Sequence, residues 1–63
     1  MLANIEPERA RLRLKQEEVA KELGITGKTY SNYVTEKTAI PSDVLIRMAG
    51  LFKCSIDYLL GLK

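Results

Sequence analysis

The chain has 63 residues, room for one domain and no more. A chain this short buries only ~60% of its unfolded surface, so a catalytic or ligand-sensing domain beside the first is not expected. Ten Lys and Arg against eight Asp and Glu give a formal charge of +2, a weak lean towards nucleic acid whose meaning depends on where the charges sit.

The basic charge is local. Arg9, Arg11, Arg13 and Lys15 alternate along one stretch, and Glu17, Glu18 and Glu22 follow. The single Cys54 has no partner for a disulfide, and there is no histidine to build a metal site. No metal and no cofactor is expected, and a reducing cytoplasm suits the lone thiol. No apolar run is long enough for a signal peptide or a membrane span, so no membrane partner is expected. Without histidine, a phosphate-cradling glycine loop or paired carboxylates in a plausible pocket, the chain does not read as an enzyme.

The pattern predicts one all-α domain over 1–63, five helices joined by short turns. Asn4 can cap a first helix, which tolerates Pro7 in its first turn and runs to about Arg13. Arg9 to Leu14 alternates as a strand would, but no hairpin turn follows, so the stretch is read as helix. A second helix spans Gln16 to Leu23, with Val19, Ala20 and Leu23 on one face. Gly24 stands where a left-handed residue ends a helix.

Thr26 is a good N-cap for a third helix, about Gly27 to Thr35. Its apolar stripe is Tyr30, Tyr33 and Val34. The opposite stripe is Lys28, Ser31, Asn32 and Thr35, all polar. A loop from Glu36 to Ile40 ends at Pro41. Ser42 can cap a fourth helix that points Val44, Leu45, Met48, Ala49 and Phe52 inward. Ser55 caps a short fifth helix through Leu60, which Gly61 stops.

Two helices joined by a turn of about four residues, the second polar on its outer face, is the helix-turn-helix design. Ala20 lets the helices approach, Gly24 supplies positive φ at the turn, and Val19, Leu23, Ile25, Tyr30 and Tyr33 lock the pair. The runs QEEVAKELGITGKTYSNY, Gln16 to Tyr33, and IPSDVLIRMAGLFKCSIDYLLG, Ile40 to Gly61, resemble the Cro/repressor (XRE-type) helix-turn-helix family. With Ile5 and Arg9 the likeness covers nearly the whole chain.

That resemblance implies a five-helix fold and a homodimer on a near-palindromic double-stranded operator, controlling transcription. It puts Gln16 at a phosphate or a bridging contact, and Gly27, Lys28 and Asn32 against base edges. Thr29, Thr35 and Lys37 fall where the family touches the DNA backbone; Thr26, the helix cap beside them, is expected to do the same. The sequence also departs from the family. Gly27 replaces a long polar side chain, so one base contact should be missing. Val34 and Glu36 stand where relatives carry an acid and a glycine, and Lys15 replaces a capping Ser or Thr.

The chemistry agrees with these roles. Lys28 sits in the first turn of the third helix, at its positive end, and can donate to guanine O6 and N7. Asn32, one turn on, can pair with adenine N6 and N7. Lys15 lacks a capping oxygen and opposes the helix dipole. Either it contacts a phosphate or it is simply tolerated.

Arg9 faces DNA or pairs with an acid such as Glu36 or Glu22. On a helix through Arg13, Arg9 and Arg13 share a side. Tyr30 and Tyr33 could stack on bases, but their place on the packing stripe reads as core. Cys54 reads as a buried, inert thiol, with a redox sensor as the alternative. The segment SIDYLLG presents Ile56, Tyr58, Leu59 and Leu60; some must cover the core, and an apolar patch left over among them would suit a dimer contact. The expected function is therefore a sequence-specific DNA-binding regulator, a phage- or mobile-element-type repressor acting as a homodimer. The rival reading is a protein-interaction or antitoxin-type module that keeps the fold and loses the DNA face, a reading that Gly27 and the low charge favour.

Overall fold

The computed structural model describes residues 4–62. The ends of the expected domain, 1–3 and 63, lie outside the described residues. Five helices follow in chain order: α1 (Ile5–Arg11), α2 (Gln16–Leu23), α3 (Gly27–Val34), α4 (Ser42–Phe52) and α5 (Ile56–Leu60). The fold is all-α, and α2 and α3 form the helix-turn-helix.

α2 packs on α3 and α4, and α4 packs on α5. The core takes Ile5 from α1, Val19, Ala20 and Leu23 from α2, and Tyr30, Tyr33 and Val34 from α3. Val44, Met48 and Phe52 from α4 and Leu59 from α5 complete it. Each large apolar side chain removed from water contributes about 1.5–3 kcal/mol. Both α3 tyrosines are therefore core residues and offer no ring to a base.

Gly24 takes φ +73°, and the chain closes α2 with two bonds: Gly24 N–H to the Lys21 carbonyl and Ile25 N–H to that of Ala20. The longer bond reaches back five residues, as in a Schellman ending, and turns the chain sharply into α3. Buried Ala20 lets the two helices meet closely at this corner.

Three expected boundaries need correction. α1 stops at Arg11 rather than Arg13; Leu12 ends it and Arg13 turns back at φ +58°. The strand-like alternation was a true signal. Leu12 and Leu14 both lie against the core while Arg11 and Arg13 are exposed, and a helix cannot point residues i and i+2 the same way. Arg9 and Arg13 therefore do not share a helix face.

Asn4 precedes α1 but makes no side-chain cap. Its amide donates instead to the Tyr58 carbonyl, and its N–H to that of Leu59 at 3.3 Å, tying α1 to α5. Ser42 is the first helical residue of α4, not its cap. Pro41 caps α4 in extended backbone, and its carbonyl accepts from Val44 and Leu45. Ser55 caps α5 as expected, accepting from Tyr58 N–H at 3.1 Å.

Candidate nucleic-acid interface

The outer face of α3 begins at its cap. Thr26 Oγ1 accepts from Thr29 N–H at 3.1 Å and donates to Thr29 Oγ1 at 2.9 Å. These bonds take up the Thr26 hydroxyl proton and leave that of Thr29 available for a phosphate oxygen. Thr35, the C-cap residue rather than a helical one, donates its hydroxyl to the Ser31 carbonyl at 2.8 Å. Thr26 and Thr35 each therefore have a hydroxyl already bonded within the α3 segment.

Lys28 is exposed, and Asn32, one turn further along the same face, is half-buried. The Asn32 carbonyl accepts from Lys37 N–H at 2.9 Å and Thr38 N–H at 3.3 Å. These bonds fold the loop back on α3 and bring the backbone of Lys37 beside it. Glu36 takes φ +62° at the bend, in the left-handed conformation that favours glycine. Val34 is buried in the core, so the acid expected at that position is replaced by packing.

At the start of α2, Lys15 is exposed in the N-cap position. A lysine cannot accept a hydrogen bond, so only half a capping box forms. Glu18 Oε1 accepts from Lys15 N–H at 2.8 Å. The acid three residues after the cap position is the sequence signal for this compensation.

Gln16 is half-buried and turned towards α1, where its Nε2 donates to Glu6 Oε1 at 2.8 Å. Glu6 is the hub that the sequence reading missed. It also accepts from Arg9 Nε and from Tyr30 Oη, both at 2.6 Å, joining α1, α2 and α3 at one carboxylate. Arg9 therefore pairs with Glu6, not with Glu36 or Glu22, and its other arm donates to the Leu14 carbonyl. The readable signal was the i, i+3 spacing of Glu6 and Arg9, which recurs at Glu8 and Arg11. Burial pushes the Glu6 carboxyl up, but the bonds from Arg9, Tyr30 and Gln16 outweigh it and hold the group below the ordinary carboxylate range. Burial, helped by Glu6, drives the Tyr30 phenol far up, so it stays a neutral donor.

A second carboxylate, Glu8, ties α1 to α5. It pairs with Arg11 at 2.8 Å and accepts from Tyr58 Oη at 3.3 Å and Cys54 Sγ at 3.5 Å. The Arg11 bond, working against burial, holds Glu8 below its ordinary range. Cys54 is half-buried, not buried, and also meets the Phe52 carbonyl at 3.2 Å. Burial and the neighbouring Glu8 push its thiol up, away from the reactive thiolate. Leu59 is fully buried and so belongs to the core; it cannot join the expected dimer contact. Ile56 and Leu60 are half-buried and Tyr58 is exposed.

Gly27 opens α3 with no side chain. A Cβ placed there would lie 3.9 Å from Glu17 Cγ on α2. The space above the first residue of α3 thus borders a side chain of the preceding helix.

Residues 8–59 match a family model described as helix-turn-helix. The chain belongs to this XRE-type helix-turn-helix family. Within the family, it is 38% identical over 50 residues to an uncharacterized HTH-type transcriptional regulator, YobD, of Bacillus subtilis (strain 168). The match covers 79% of this chain and 45% of that relative, so the chain spans less than half of the relative's length. No solved structure matches. Among the described residues, no helix of this helix-turn-helix domain is long and apolar enough to cross a membrane.

Proposed function

We propose that this helix-turn-helix domain binds double-stranded DNA sequence-specifically and regulates transcription, with α3 in the major groove. One observation carries the reading: Lys28 and Asn32 share the α3 face opposite the buried tyrosines, bonded to nothing that the core requires. Lys28 suits guanine and Asn32 suits adenine, while Gly27 gives the backbone a close approach without a contact of its own. Lys15, Thr29 and Lys37 flank this face and serve the phosphates. Gln16 keeps one amide N–H on Glu6 and has a second to offer a phosphate.

The domain acts as a homodimer in the cytoplasm, with two α3 helices about one turn of DNA apart, ~34 Å. Ile56, Tyr58 and Leu60 are the proposed contact. Support for it comes from a groove of about 420 Å³ that Leu60 lines together with Tyr33, Glu36, Thr38, Ala39, Ile40 and Leu45. The relative's name, a transcriptional regulator, supports the same assignment.

The test is selection of binding sites from a random duplex pool, with wild type and Lys28→Ala/Asn32→Ala. The expected result is an inverted repeat whose G and A preferences each weaken at least about fivefold in the double variant, given ~1–3 kcal/mol per bidentate pair. A folded protein that selects nothing at low salt would instead favour the protein-interaction reading.

A further inference from the structure

Glu17 borders, at Gly27, the face assigned above to DNA. It is exposed in the first turn of α2, and its carboxylate makes no hydrogen bond or ion pair among the described residues. Its Cγ is the neighbour that a Cβ on Gly27 would meet, at 3.9 Å, with nothing else within 4 Å. The acid therefore stands beside the opening residue of α3, one residue before Lys28. A long side chain at position 27 would occupy that space.

An acid beside the duplex weakens backbone binding, because phosphates repel it. A base edge is different. In the major groove cytosine offers a donor, its N4 amino group, whereas guanine offers only acceptors. Adenine also carries an amino group, but its N7 acceptor lies next to it and opposes a carboxylate. We infer that Glu17 is a specificity-determining residue, accepting from cytosine N4 at the base pair that a long side chain at position 27 would otherwise read. This rests on the DNA-reading function proposed above and changes which helix supplies the contact.

Site selection from a random duplex pool would be run with wild type, Glu17→Ala and Glu17→Gln, each checked by circular dichroism. Wild type should select cytosine at one position of each half-site. Glu17→Ala should lower that preference about tenfold and leave the other positions unchanged. Glu17→Gln should move it to adenine, since a glutamine amide both donates and accepts. One shared motif for all three proteins overturns the assignment while leaving the DNA-reading function standing. No motif from folded wild type overturns that function and this assignment with it.

Discussion

Tyr30 has two roles that lie on different parts of one side chain. Its ring is fully buried, and its hydroxyl donates to Glu6 at 2.6 Å. The ring was legible from helical periodicity. The hydroxyl's partner was not, because Glu6 lies 24 residues away and no local pattern spans that gap. Tyr30→Phe keeps the ring and removes the donor. A bond to a charged acceptor contributes about 1.5–3 kcal/mol, and the part-exposed Glu6 keeps Arg9 and Gln16 as partners. A loss near 1.5 kcal/mol is therefore expected, seen as a lower denaturant midpoint with an unchanged slope. No loss would mean that water replaces the phenol at Glu6.

The helices themselves were easy to read; their ends were not. Among the described residues, three other than glycine, Arg13, Glu36 and Lys53, hold positive φ at such ends. Left-handed backbone costs a side-chain-bearing residue about 1–2 kcal/mol. The sequence carries glycine at Gly24 and Gly61, and those two stops were found. The other stops carry charged residues that turn chemistry does not flag; the loop from Glu36 was placed by the end of the periodic pattern instead. Lys53 ends α4 at φ +55° and is exposed. Lys53→Gly should relieve the backbone, offset by about 0.5–1 kcal/mol of glycine entropy. A net gain of roughly 0.5–1 kcal/mol is expected, a rise of several degrees in Tm for a domain this small. A fall in Tm would show that the lysine makes good its own strain.

Two carboxylates bind α1 into the assembly, Glu6 towards α2 and α3 and Glu8 towards Cys54 and α5. Both are held below the ordinary carboxylate range in the folded protein. Their stabilisation is therefore complete above the unfolded value, about pH 4.3, and is lost as pH falls through the folded values. Thermal stability should be level near neutrality and decline progressively below about pH 4. Glu8→Gln should lower Tm at neutral pH, since Arg11 loses its anion, and make the acid decline shallower. An unchanged acid profile in this variant would remove Glu8 from the account.

Amphipathic periodicity and the turn at Gly24 were enough to place α2 and α3, the buried tyrosines, and the polar face with Lys28 and Asn32. Those are local features, set by which residues recur every three or four positions. The hub at Glu6, the orientation of Gln16, the withdrawal of Leu59 into the core and the meeting of Glu17 with Gly27 came only with the folded chain. Each depends on how separate helices, with the residues that meet ten or more positions apart, come to lie together. A contact across that distance is decided by packing and by the competition of polar groups for partners, which no short window of sequence contains.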